Sequence, residues 1–284
     1  MCESKGGCTM NVVTSINCLD SSGITGTQAD LTVFQQMNVY GTTAVTMLTA
    51  QNTIGFGGNH PILADFVEQQ LETIFRDMKV KVVKVGMLYR EDIIQVVKNF
   101  LKDKQCKIVL DPVIKTEAGL PVLKWKEVEV IRNDLLPLSS VVTVNVPELA
   151  TYSGVAISAE PDVEVAARKL LDMGAQAVIV KGSMLQRNLA TDTLFTNDEV
   201  THFESERVLT MQTYGASCAF SAALTAGLAN DLPMKEAIKE AKKYVVCAIK
   251  YPINIGLGDG PINHFAYRDN HEYIEVKVIE TLYK

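Results

Sequence analysis

Short apolar runs alternate along the chain with stretches of helical spacing, and this alternation predicts a parallel sheet covered by helices on both faces. The first strand is predicted over residues 11–16, followed by the turn Leu19-Asp20-Ser21-Ser22-Gly23. A helix over 30–37 places Leu31, Phe34 and Met37 on one face. A strand over 42–49 precedes a long helix over 61–78, with Phe66, Leu71, Ile74 and Phe75 at helical spacing. Strands are predicted over 82–85, 107–110, 141–144 and 177–180, with helices over 91–102 and 163–173 between them. Residues 194–196 and 202–203 read as a hairpin, and 218–230 and 234–249 as the last two helices. No linker or repeat interrupts this order, so one doubly wound α/β domain is predicted over residues 10–284. Residues 1–9 carry no periodicity and are expected to form a disordered extension.

In open parallel sheets, ligands sit outside the carboxyl ends of the strands. Polar residues gather at those ends here: Asp20, Gly86-Met87, Asp111, Asn145 with Glu148, and Lys181. Chemistry is therefore expected along one rim.

Composition narrows the classes of partner. Apolar residues make up 47% of the chain and charged residues 21%, enough for a full core. The net charge is -6 with scattered basic residues, which gives no signal for nucleic acid or an anionic membrane. No apolar run approaches the ~18 residues of a membrane helix. Six widely spaced cysteines without a CxxC pair point to reduced thiols in the cytoplasm rather than to disulfides or a metal cluster.

The strongest local signal is Thr213-Tyr214-Gly215-Ala216-Ser217-Cys218, which opens an Ala-rich helix. Small residues let backbone N–H groups converge, and the helix N-terminus adds partial positive charge, so the turn can hold an anion. The same dipole favours the thiolate of a first-turn cysteine, which can then accept a proton. A capped helix start with a buried cysteine fits the same residues. Asp111-Pro112-Val113 and Asn145-x-x-Glu148 supply hard oxygens suited to Mg²⁺, or ordinary caps and turns. Gln51, in Thr49-Ala50-Gln51-Asn52-Thr53, offers a donor and an acceptor to an aminopyrimidine edge, or is simply polar loop. Gly86-Met87 permits close backbone approach and a soft side chain against a ring. Lys181-Gly182, Asp192, the loop Gly256-Leu257-Gly258-Asp259-Gly260-Pro261 and His264 read as readily as structural.

Taken in order, these segments resemble the hydroxymethylpyrimidine/phosphomethylpyrimidine kinases of the ribokinase-like superfamily, and the related bacterial pyridoxal kinases. The resemblance rests on Asp20-Ser21-Ser22-Gly23-x-x-Gly26-x-Gln28-Ala29-Asp30, Tyr40-Gly41, Thr49 to Thr53, Gly86-Met87-Leu88, Asp111-Pro112-Val113, Asn145-x-x-Glu148, Val180-Lys181-Gly182 and Gly260-Pro261-x-Asn263-His264. It implies that Asp30, Gln51, Gly86 and Met87 hold the substrate and that Cys218 is the catalytic base. Gly215, Ala216 and Ser217 would form the anion hole, Asp111 and Glu148 the magnesium side, and Lys181 and Asn145 the nucleotide side. It further implies ATP and Mg²⁺, phosphorylation of a hydroxymethyl group and often of the resulting monophosphate, and a homodimer.

Gln51-Asn52, where pyridoxal kinases of the group tend to have Met-Asp, favours the pyrimidine. So does Thr116 where a second cysteine tends to occur. The chain also departs from the family's usual residues at Cys18 (Gly), Val144 (Pro), Ser217 (Gly) and Ala219 (Thr). Ser217 is expected to strain the turn if its backbone needs positive φ, and Ala219 to remove a hydroxyl that would cap the helix or touch phosphate. A vitamin-binding relative with a decayed anion hole is the rival class, and a sugar or nucleoside kinase a weaker one.

Overall fold

The computed structural model describes residues 10–115, 121–182 and 188–283. The first nine residues and Thr116 lie outside them.

Among the described residues ten strands form one sheet in the order β10-β9-β8-β7-β6-β5-β4-β1-β2-β3. The parallel centre comprises β1 (Val12–Asp20), β2 (Tyr40–Asn52), β4 (Val80–Val85), β5 (Lys107–Leu110), β6 (Val141–Asn145) and β7 (Val178–Lys181). Antiparallel strands close both edges: β3 (Gly55–Pro61) on one side, and β8 (Leu189–Phe195), β9 (Glu199–Glu206) and β10 (Lys277–Leu282) on the other. The doubly wound α/β architecture is as expected.

Both faces of the central strands are covered, and their alternation sorts side chains into two cores. Ile16, Val83, Val85, Leu110, Val142, Val144, Val178 and Val180 face α2 (Ala64–Asp77), α3 (Glu91–Leu101), α5 (Val146–Ser153) and α6 (Glu160–Asp172). The intervening Val13, Val82, Val109, Val141 and Ile179 face α1 (Gly26–Gln36), α7 (Ala216–Ala229) and α8 (Met234–Lys250). Two shorter helices, α4 (Trp125–Val130) and α9 (Ala266–Asn270), complete the set among the described residues. Phe66 does not join the core as its spacing predicts: only Val67 and Leu71 of α2 are buried, and Phe66 is 53% exposed. Leu31, on α1, is likewise exposed.

The alternation positions the site. On the α1/α7 face the strand residues turn from apolar to polar toward the carboxyl ends: Val13, Ser15, Asn17; Val82, Lys84; Val109, Asp111; Val141, Thr143, Asn145; Ile179, Lys181. One rim of the sheet therefore carries a belt of polar side chains beneath the first turn of α7.

Candidate active site

The turn into α7 is set by steric necessity. Gly215 has φ of 91°, and a Cβ there would sit 2.4 Å from the Ile24 carbonyl oxygen, so only glycine fits. Ser217 is not among the positive-φ residues, and the strain expected from its side chain is absent, because the left-handed position falls on Gly215. Ala216 gives its N–H to the Thr213 carbonyl at 3.1 Å, which commits that donor to the turn and corrects its place in the anion hole. Ala219 is 0% exposed within the α1/α7 core, so a hydroxyl there would not reach a phosphate.

Beneath this turn lies a buried charged network. Lys84 and Asp30, both 0% exposed, form an ion pair, and the Lys84 ammonium also donates to the Cys218 carbonyl at 3.1 Å. Burial opposes the charge on Lys84, but the attraction of Asp30, with smaller contributions from Cys218 and Asp111, outweighs it and holds the ammonium above its usual range. Asp30 also accepts from Ser15 Oγ at 2.6 Å and Asn17 Nδ2 at 3.0 Å. It has no surface left for a substrate, which corrects the expectation of direct contact; Asn17 stands between it and the cavity.

Asn17 is locked in turn. Its Oδ1 accepts from the N–H groups of Cys18 and Met87, each at 2.9 Å. Gly86 is not on the cavity wall; a Cβ there would come within 2.6–2.7 Å of the Asn17 amide, so this glycine makes room for Asn17 instead of for a ligand. Sequence reading passed over Asn17, Ser15 and Lys84. A lysine in the valine-rich run Val80-Lys81-Val82-Val83-Lys84-Val85, in phase with Val82, was the available signal.

A second cluster centres on Asp111, which is 1% exposed. It accepts from Lys181 Nζ at 2.8 Å, Ser221 Oγ at 2.8 Å and Thr143 Oγ1 at 3.0 Å. Burial opposes its charge, yet Lys181 and Lys84 keep it ionised below the usual carboxylate range. Lys181 is held above the usual lysine range in the same way, with Asp111 and Glu148 overcoming its burial. Lys181 also reaches Ser217 Oγ at 2.6 Å. Both oxygens of Asp111 accept from protein donors, so the residue anchors Lys181 in place.

Glu148 does face the cavity. It forms a capping box with Asn145 at the start of α5: Asn145 Oδ1 accepts from the Glu148 N–H at 2.8 Å, and Glu148 accepts from the Asn145 N–H at 3.0 Å. Burial pushes its carboxyl up to about 7, against the opposing pull of Lys181. An anionic group this reluctant to ionise is suited to a cation, and Mg²⁺ needs only one or two protein carboxylates beside phosphates and water. Glu148 fits that role singly; among the described residues, no three His, Cys, Asp or Glu gather as a metal cage.

These walls enclose a cavity of about 390 Å³. Asn17, Cys18, Thr25, Thr49, Gln51 and Met87 line it from the first half of the chain, and Asn145, Glu148, Tyr214, Ser217 and Cys218 from the second. Gln51 Nε2 donates to Thr25 Oγ1 at 3.2 Å. Burial, with smaller pushes from Cys218 and Asp20, raises the Cys18 thiol far above its usual range, which keeps it a neutral wall residue. Other polar residues singled out in the sequence serve structure. Asp20 organises its turn by accepting from Ser22 and Thr25, Asp192 pairs with Lys242 at 2.8 Å, and His264, pushed down to about 4 by burial, meets Tyr244 at 3.0 Å.

The arrangement joins an apolar-edged slot for a flat ring to the α7 turn with the Cys218 thiol, beside the Lys181 ammonium at the end of β7 and the Glu148 carboxyl on α5. That combination suits transfer of an anionic group to a substrate hydroxyl. Comparison with known proteins agrees. The chain is 42% identical over 254 residues to the hydroxymethylpyrimidine/phosphomethylpyrimidine kinase of Haemophilus influenzae, covering 87% of this chain and 94% of that one. It is 37% identical over 253 residues to the enzyme of that name from Bacillus subtilis, covering 88% and 93%. Among solved structures, the pyridoxal kinase of Staphylococcus aureus, in complex with AMP-PCP and pyridoxal, superposes with a TM-score of 0.87 at 32% identity, covering 96% of this chain and all of that one. Residues 20–263 match the family model described as phosphomethylpyrimidine kinase, and the chain belongs to that family of ATP-dependent phosphotransferases.

Proposed function

We propose that the protein transfers the γ-phosphoryl group of ATP to the hydroxymethyl oxygen of 4-amino-5-hydroxymethyl-2-methylpyrimidine, and then phosphorylates the monophosphate, in thiamine biosynthesis or salvage. The observation that carries this reading is one cavity lined at once by Gln51 and Met87 and by Cys218, Ser217 and Glu148. The Gln51 amide reads the aminopyrimidine edge with its donor and acceptor. Met87 packs on the ring, its N–H fixed by Asn17 and its carbonyl by Thr46 at 2.7 Å. Cys218 takes the proton of the attacking hydroxyl. Lys181 meets the phosphate charge, and Asn145 lies toward the nucleotide. Magnesium, held by Glu148, supplies neutralisation of the charge between the phosphates when bound. In this reading the enzyme is a cytoplasmic homodimer, and the cysteines among its described residues are reduced.

Pyridoxal is the second reading, favoured by the likeness to a kinase solved with that ligand. The test is ADP release with ATP and Mg²⁺ over a panel of hydroxymethylpyrimidine, its monophosphate, pyridoxal and pyridoxine. Highest kcat/KM is expected for the pyrimidine, with a loss of about 100-fold or more in Cys218→Ala. Preference for pyridoxal would replace the substrate. Ligand binding by calorimetry without ADP release would replace the activity with that of a binding protein.

A further inference from the structure

We propose that the Ser217 hydroxyl is a side-chain member of the anion site, acting with Lys181 as a paired donor to the phosphoryl group in flight. The inference deepens the phosphotransfer reading and rests on it.

The bond between the two residues has a fixed direction. An ammonium can only donate, so at 2.6 Å Ser217 Oγ is the acceptor from Lys181 Nζ. The hydroxyl proton must then point away from Lys181. Among the described residues no acceptor receives it, and Ser217 lies on the cavity wall beside Cys218. A hydroxyl whose oxygen already holds an ammonium is polarised, which strengthens its own donation. Among the described residues Lys181 gives one hydrogen to Asp111 at 2.8 Å and one to Ser217, leaving its third for an anion. Asp111 is held by Ser221 and Thr143, so the ammonium rests on a fixed support and need not reorganise when charge develops. With the Ala216 N–H committed to Thr213, a side-chain donor at position 217 compensates at the same turn.

In the transfer, the bond between the γ-phosphorus and the ADP oxygen breaks and one to the hydroxymethyl oxygen forms. The proton of that hydroxyl passes to Cys218. Ser217 contributes a hydrogen bond to a non-bridging oxygen and ends the cycle with its own proton in place. The residue most out of keeping with the resemblance at this turn is thus a working part of it.

The experiment compares the unmodified chain with Ser217→Ala, Ser217→Gly and Ser217→Thr, measuring kcat and KM with the pyrimidine substrate, and inhibition by ADP alone and by ADP with aluminium fluoride, a mimic of the phosphoryl group in transfer. Loss of the hydroxyl in Ser217→Ala and Ser217→Gly is expected to lower kcat about 100-fold with little change in the pyrimidine KM. Inhibition by ADP with aluminium fluoride should weaken in proportion, and inhibition by ADP alone should not. Ser217→Thr, which keeps the hydroxyl, should restore most of the rate. Full activity in the Ala and Gly variants, or equal weakening of both forms of inhibition, would overturn the assignment. If the unmodified enzyme itself turned over no substrate, the phosphotransfer reading would fall first and take the assignment with it.

Discussion

Glu148 holds its proton more tightly in the folded chain than in the unfolded one, because burial pushes its carboxyl from an ordinary 4.5 to about 7. The folded state therefore loses relative stability as pH rises across that interval. Below about 4.5 both states carry the proton and the burial costs nothing extra; above about 7 the folded state bears the whole penalty. At ~1.4 kcal/mol per pH unit, the interval amounts to about 3 kcal/mol. Glu148→Gln removes the ionisation while keeping an oxygen that can accept from the Asn145 N–H, so the capping box survives. The variant is expected to be more stable than the unmodified chain by about 3 kcal/mol at pH 8.5, with the advantage vanishing by pH 4. Urea midpoints at several pH values, with equal slopes for the two proteins, measure it. The same change removes the carboxylate offered to magnesium, so activity should fall where stability rises. A stability difference that did not vary with pH would refute the reasoning.

Two further substitutions test the polar belt. Lys84→Met leaves the Asp30 carboxylate buried without its counter-charge and should cost about 3–5 kcal/mol; adding Asp30→Asn should recover part of that, and a double-mutant cycle in urea giving no coupling would contradict the pairing. Asn17→Ala orphans the Met87 and Cys18 N–H groups, each a loss of about 1–3 kcal/mol, and should raise the pyrimidine KM more than it lowers kcat; an unchanged KM would remove Asn17 from the substrate wall.

The sheet was legible because its central strands are apolar on both faces and the helices between them keep their period. What escaped was structure whose cause lies elsewhere in the chain. β3, Gly-Phe-Gly-Gly-Asn-His-Pro, has poor strand propensity and exists because its backbone pairs with β2, through a bulge at Ala50 and Gln51. β10 is an edge strand held by β9. At the site, the sequence named positions but not partners. Asp30 and Asp111 were expected to meet ligand, yet each sits where a lysine of the sheet can neutralise it, and a buried charge takes the nearest opposite charge. Asn145-x-x-Glu148 was read for its oxygens, when the three-residue spacing is also that of a helix cap. The helix start at Gly215 to Cys218 was readable because small residues before an Ala-rich run mark a turn into a helix.

The Lys84–Asp30 pair also ties together distant parts of the sequence. Both partners come from the first third of the chain, whereas the carbonyl that takes another hydrogen of Lys84 belongs to Cys218, in the last third. α7 packs on both α1 and β4, the two elements that carry the pair, and both side chains are fully buried beneath it. The position of the Cys218 backbone and the dryness of a buried charge are thus two sides of one contact, and a change that loosened the first turn of α7 would admit water to the ion pair as well.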